Sequence, residues 1–169
     1  MDTNTQSNTQ SKTYTKKYSN RSTFTNSLKI SKIMASNGIS PQVLSHSYDN
    51  LEIVYEFIES VALNGNDTTN IIASIFINNV HELVDKMHAL GYCHGDLHLG
   101  NIINGKDRVY LIDFDQSFNI EKGRTQTKVL NYMKDYYDWT GTYEQFVQYD
   151  YDNFLDEVYD IVKQSQKNQ

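Results

Sequence analysis

His94-Gly95-Asp96-Leu97-His98-Leu99-Gly100-Asn101 and, twelve residues past its final asparagine, Asp113-Phe114-Asp115 hold the densest chemistry of this chain. Between them lie an apolar pair, Ile102-Ile103, a turn at Asn104-Gly105-Lys106-Asp107 and an apolar run from Arg108 to Phe114. This order predicts a polar loop, a hairpin with its tip at 105–108, and an acid delivered at the end of a buried strand. Two carboxylates and an amide then converge. Oxygen ligands of this kind suit Mg²⁺, which takes one or two carboxylates plus substrate phosphates. A carboxylate not tied to the metal can instead accept a proton from an attacking hydroxyl. Two other readings stand beside this one. The segment is a surface turn with chance polar residues, or His94, Asp96 and His98, alternating along an extended chain, bind a transition metal directly.

Working outward, Ile72, Ile75, Phe76, Val80, Leu83, Val84, Met87 and Leu90 fall at helical spacings, predicting one long helix over Asn70–Leu90 that Gly91 ends. Its cap is Asp67 or Thr68, in the loop 64–69. Before it, VLSHSYDNLEIVYEFIE reads as two strands around a Tyr48-Asp49-Asn50 turn, the second (Leu51 to Ile58) apolar enough to be an inner strand. Phe24 to Ala35 is a helix stopped by Asn37-Gly38, and Thr13 to Tyr18 a short strand carrying Lys16 and Lys17. Residues 1–13 hold almost nothing to bury and are expected to be a disordered tail. Past Phe118 the chain is polar and irregular to about Lys128, followed by helices expected around 128–138 and 143–164, the Asp135–Trp139 cluster packing one of them beneath the 94–101 loop.

The length of 169 residues fits one domain, and 38% hydrophobic with 12% aromatic content argues for a packed core. No apolar run approaches the roughly 20 residues of a membrane span, and no hydrophobic stretch follows a basic start, so no secretory signal is expected. A single cysteine, Cys93, excludes an internal disulfide framework and a multi-cysteine zinc site, and suits a reducing compartment; the expected location is cytoplasmic. The net charge of −6 is unevenly spread: no acid occurs between Thr3 and Tyr48, residues 1–48 sum to +5 and residues 49–169 to −11. The basic head is an arm for nucleic acid or a membrane surface, a segment docked on its own acidic body, or one reaching toward a phosphorylated ligand. The body's own charge argues against nucleic-acid binding there.

On these residues the chain resembles the protein-kinase-like superfamily. His94, Asp96 and Asn101 meet its H-x-D-x-x-x-x-N catalytic-loop pattern, and Asp113-Phe114 its D-F metal motif. The H-G-D-L-H and I-D-F-D forms look more like lipopolysaccharide core (Kdo-type) and aminoglycoside-phosphotransferase-like kinases than ordinary protein kinases. The resemblance is strong over about 70–118 and weaker back to Phe24. It implies an α+β, protein-kinase-like fold: a truncated amino-terminal lobe at 14–58 (a short sheet plus one helix, with a hinge at 56–60) and a small, mainly helical carboxy-terminal lobe at 61–169. It also implies ATP and Mg²⁺ as cofactors and a hydroxyl-bearing acceptor, a protein Ser/Thr or a small molecule or sugar. Residue by residue, Asp96 would be the base, Asn101 and Asp113 would hold Mg²⁺, and His98 would donate to the transferred phosphate. His94 would be a packing residue under the loop. Tyr55 would stand before the hinge, where the backbone of Glu56 and Ile58 meets adenine, and Lys16 or Lys17 would be the strand lysine.

Departures from that pattern bear on activity. The only glycine before Gly65 is Gly38, so no glycine-rich loop covers the phosphates. Ser27 stands where a helix glutamate would pair with the lysine. The only proline is Pro41, which excludes an A-P-E anchor after Asp113. Asp115 replaces the glycine of D-F-G and either adds a carboxylate near the metal or faces water. Intact polar residues favour an active minimal kinase; the missing phosphate cover and glutamate favour a pseudokinase or nucleotide-binding scaffold. A purely structural interaction domain rests on the acidic, Tyr-rich C-terminal helix, which is also the expected surface for a protein partner.

Overall fold

Asn20 begins the first helix by accepting the backbone N–H groups of Ser22 (2.8 Å) and Thr23 (3.2 Å), the side-chain capping that satisfies otherwise orphaned donors. In the computed structural model, which describes residues 12–63 and 69–167, this helix is α1, Arg21–Ser36. It ends where Gly38 takes φ +70° and Ile39 N–H returns to Met34 O. Phe24, Leu28, Ile30 and Met34 form its buried stripe, together with two buried serines, Ser27 and Ser31. Phe24 and Leu28 cover a three-stranded antiparallel sheet of β1 (Thr13–Lys17), β2 (Val43–Ser47) and β3 (Glu52–Glu56) in the order β1-β3-β2, meeting Ile53, while Ile30 and Met34 join the main core. The apolar strand is thus the inner one, as its composition predicts. It ends at Glu56, past which Phe57 turns its ring to solvent while its N–H still donates to Lys12 O (3.3 Å). Residues 1–11 of the expected tail and the expected cap, Asp67 or Thr68, lie outside the described residues. Thr13 belongs to β1, not to the tail.

The second layer is built on α2, Thr69–Ala89. Phe76, Val80, Val84 and Met87 bury one face against Leu111, Phe114, Phe154 and Val158 in the main core. Ile75 and Leu90, expected on that face, are exposed, while Ala73 is buried. Gly91 (φ +80°) turns the chain into β4 (Tyr92–Cys93). The polar loop follows, closing in a 3₁₀ turn at Leu99–Asn101, and then the hairpin β5 (Ile102–Asn104) and β6 (Val109–Leu111). The strand predicted over 108–114 stops at Leu111, because Asp113 takes φ +62° and cannot continue a ladder. β7 (Phe118–Asn119) pairs with β4 and leads into α3 (Ile120–Gly123) and α4 (Thr127–Asp135). The single helix expected over 143–164 is instead α5 (Tyr143–Gln148), a 3₁₀ turn at Tyr149–Tyr151, and α6 (Leu155–Lys167). The break swings Asp150 inward, where it is 3% exposed. The result is α+β: a small sheet with one helix above, a mainly helical unit below, and the polar loop and D-F-D turn where they meet.

Candidate active site

The loop 94–101 is held from beneath by one carboxylate. Asp150 accepts the backbone N–H of His94 (Oδ2, 2.6 Å) and of Gly95 (Oδ1, 2.9 Å), the Cys93 thiol (3.2 Å) and His88 Nε2 (3.1 Å). Burial would raise its pKa; the hydrogen bond from His88, the His94 and His88 rings and the Gly95 amide outweigh that and hold it below the usual carboxylate range. The 135–139 cluster expected beneath the loop reaches it through Tyr137, whose hydroxyl donates to Asp96, and Asp150 supplies a second anchor from the following turn. Asp135, Tyr136 and Asp138 of that cluster are exposed.

From above, the loop grips the strand that carries the second motif. Ile112 N–H donates to Asn101 O (3.0 Å), and His94 Nε2 lies 2.9 Å from Ile112 O. His94 is fully buried against the Phe114 ring, as expected of a packing residue. The left-handed φ of Asp113 costs about 1–2 kcal/mol for a residue other than glycine. Burying the Phe114 side chain returns about 1.5–3 kcal/mol, so the clamped turn is affordable and Asp113 is aimed away from the core. Asn101 Nδ2 donates to Asp96 O (2.9 Å), which turns the amide oxygen the other way. One of the Asp96 carboxylate oxygens accepts the Tyr137 hydroxyl at 2.8 Å.

Lys16 reaches across from β1. Its Nζ lies 2.6 Å from Asp113 Oδ1 and 2.9 Å from Asp115 Oδ2. Burial would lower the lysine's pKa, but the two carboxylates raise it; Asp113, which burial would raise, is lowered chiefly by Lys16. Lys17, on the opposite face of the strand, is 76% exposed and paired with Glu52 at 2.7 Å, so of the two candidates Lys16 alone faces the site. The basic head is accordingly docked on the acidic body at both lysines. Lys16, Asp113 and the expected hinge residues Glu56, Phe57 and Ile58 line one cavity of about 290 Å³, with Pro41, Tyr55, Ile103, Ile112 and Phe114 forming much of its apolar wall. Tyr55, ahead of the hinge, lies 3.0 Å through its hydroxyl from Ser31 Oγ.

His98 is turned elsewhere than the resemblance implies. Its Nδ1 accepts Gly100 N–H (3.2 Å) and its Nε2 lies 3.1 Å from Asn101 Nδ2, so the ring caps its own 3₁₀ turn. The direct transition-metal reading fails with it, because His94, Asp96 and His98 each face a different partner. Among the described residues, the His/Cys/Asp/Glu group compact enough to hold an ion is His88–Cys93–Asp150, and the Asp150 oxygens there are engaged by backbone amides. Two contacts escape sequence reasoning: Asp150 under the loop, and Asp115 on Lys16. Each joins residues far apart in the chain, and neither carries a local signal.

A sheet-and-helix unit over a helical unit, with a lysine crossing to the aspartate of a D-F turn beside an H-x-D-x-x-x-x-N loop, defines the class: a protein-kinase-like fold. The lipopolysaccharide kinase (Kdo/WaaP) family matches residues 59–159, more than half of the chain, and the chain belongs to that family. Over 78 residues it is 31% identical to the "Probable bifunctional tRNA threonylcarbamoyladenosine biosynthesis protein" of Methanosarcina mazei and 30% identical to that of Methanosarcina acetivorans. Each match covers 46% of this chain and 13% of the relative. In structure the chain is similar to the Rio2 kinase of Chaetomium thermophilum, crystallised as an ADP/Mg²⁺-phosphoaspartate complex, with a TM-score of 0.50 at 12% identity. That alignment covers 88% of this chain and 55% of the other. The chain thus spans about half of that kinase and a small part of its curated relatives. No described helix is long and apolar enough to cross a membrane.

Proposed function

We propose that this chain transfers the γ-phosphoryl group of ATP to a hydroxyl, with a sugar or other small molecule as the favoured acceptor. The observation that carries the reading is the Lys16–Asp113 pair at 2.6 Å, inside a cavity shared with the 56–58 hinge and beside the loop bearing Asp96 and Asn101. The cavity's apolar wall suits a planar base, with Glu56 and Ile58 among the residues that line it. The donor set fits a hard cation: the Asp113 carboxylate is aimed out of the core, and the Asn101 amide nitrogen is engaged by Asp96 O, which presents the amide oxygen. Asn101 and Asp113 hold Mg²⁺, which when bound neutralises charge on the phosphates. Lys16 orients the phosphates by charge. Asp96 fixes the acceptor hydroxyl and takes its proton as the oxygen attacks phosphorus. The family's name points to a saccharide acceptor. The lack of any proline after Pro41 also removes the anchor used for peptide docking. A protein Ser/Thr is the remaining acceptor class.

A second reading, a nucleotide-binding scaffold without transfer, is favoured by Ser27, a neutral residue standing on the helix where an acid would pair with the lysine. Thermal-shift titration with ATP, with and without Mg²⁺, tests the site: stabilisation should need both and vanish in Asp113→Asn. Radiolabelled ATP offered with a saccharide extract or a protein mixture then separates the readings. Asp96→Asn should keep binding and lose transfer by about 10²–10⁴-fold. Binding without any labelled product would leave the scaffold; a protein as the labelled product would overturn the small-molecule preference.

A further inference from the structure

Lys16 stands between two carboxylates, and only one of them belongs to the metal site proposed above. The other, Asp115, has its second oxygen fixed: Oδ1 accepts the hydroxyl of Ser27 at 2.8 Å, and Ser27 is fully buried on the inner face of α1. The neighbouring Asn26 donates through Nδ2 to Ser117 O at 2.9 Å, so two successive residues of the helix grip the segment 115–117. The connection from helix to strand lysine therefore runs hydroxyl, carboxylate, ammonium. No acid occurs between Thr3 and Tyr48, so α1 supplies no carboxylate of its own. A carboxylate that serves a divalent cation cannot also hold a flexible ammonium at full strength. A second one, tied to the helix by a neutral donor, keeps its charge for the lysine.

We propose that Asp115 is the positioning residue for Lys16. It takes over the partner role that a helix acid would fill and keeps the ammonium toward the nucleotide phosphates while Asp113 serves the cation. The inference deepens the nucleotide reading above and rests on it. It gives the residue at the third position of the D-F-D turn a task, and it gives Ser27 one: the hydroxyl leaves space for an acid arriving from the other side of the cleft.

Calorimetric titration of the full chain with Mg-ATP, and separately with adenosine, tests this. Asp115→Asn should weaken Mg-ATP binding on the order of tenfold, the scale of one charge-assisted contact, and leave adenosine binding unchanged, since adenosine has no phosphate for Lys16 to meet. Moving the acid back to the helix, in the double variant Asp115→Gly with Ser27→Glu, should recover most of the loss relative to Asp115→Gly alone. Equal Mg-ATP affinity in wild type and Asp115→Asn overturns the proposal. So does parallel loss of adenosine and ATP binding, which would mark Asp115 as merely structural, and so does a double variant no better than Asp115→Gly at equal melting temperature. Failure of the wild-type chain to bind Mg-ATP is a separate result, and it overturns the nucleotide reading together with this inference.

Discussion

Replacing Asp150 by alanine removes the acceptor on which the backbone of the 94–101 loop rests. Two backbone donors, His94 N–H at 2.6 Å and Gly95 N–H at 2.9 Å, lose their partner inside the protein, and the Cys93 thiol and His88 lose theirs as well. A buried donor left without an acceptor costs about 1–3 kcal/mol, so the two amides alone cost about 2–6 kcal/mol. At about 2–4 °C per kcal/mol for a chain of this size, a mid-range loss of about 4 kcal/mol lowers the melting temperature by roughly 8–16 °C. Asp150→Asn keeps the shape and one acceptor oxygen and should lose about half as much. The penalty also has a predicted pH dependence. The Asp150 pKa is held below its unfolded value, so its contribution is complete above the ordinary carboxylate pKa and is lost as pH falls through the folded value. The gap between wild type and Asp150→Ala should therefore be full at pH 7 and narrow below about pH 4. Urea unfolding at both pH values measures it. A loss under about 1 kcal/mol at pH 7, or a gap that widens in acid, would refute the assignment of Asp150 as the loop's support.

The two adjacent lysines should part company. Lys16→Met should abolish Mg-ATP-dependent stabilisation, whereas Lys17→Met, which breaks only an exposed pair with Glu52, should keep it and change stability by less than about 1 kcal/mol; similar behaviour in thermal-shift assays would contradict the placement of β1. Tyr137→Phe deletes the hydroxyl that donates to Asp96 and accepts from Asn153 Nδ2 (3.5 Å), so kcat should fall about tenfold with little change in KM for ATP. Unchanged or faster turnover would show that the phenol does not serve the base. Gly95→Ala forces a side chain onto a φ of +77° with its Cβ 3.1 Å from Gln116 O and from a Phe118 ring carbon. It should cost at least about 1–2 kcal/mol in denaturant unfolding, and a neutral result would argue against the turn geometry.

What could be read beforehand was local or periodic. The helix over 69–89 announces itself by apolar spacing, β3 by its apolar Ile53 and Val54 with Leu51 and Phe57 on either side, and the loop-hairpin-acid order by polar residues at fixed intervals. Where reading stopped short, partners distant in sequence decide. Lys16 and Lys17 are chemically alike, and strand alternation sends them to opposite faces; only the position of Asp113 and Asp115 across the cleft selects between them. The stretch 143–164 has neither glycine nor proline to mark a break, yet it breaks because the loop's bare amides draw Asp150 inward. Ile75 and Leu90 satisfy the helical period but fall at the margin of the buried stripe, which the period alone does not delimit. Much of the tyrosine-rich C-terminal region likewise serves the interior, with Tyr143 donating to Ile120 O and Tyr151 to Asp85.

The hairpin between the two motifs acts as a ruler. Its rungs pair Ile102 with Leu111, Ile103 with Tyr110 and Asn104 with Val109, and the Asn101–Ile112 bond forms the next rung before Asp113. The interval separating the asparagine from the aspartate is therefore a measured length of ladder and not an arbitrary linker. Residues added in the turn between Lys106 and Asp107 lengthen the ruler beyond its marks and leave both ends in place. A single residue inserted within either strand reverses which side of the ribbon each later side chain faces, pointing the acid at position 113 into the core.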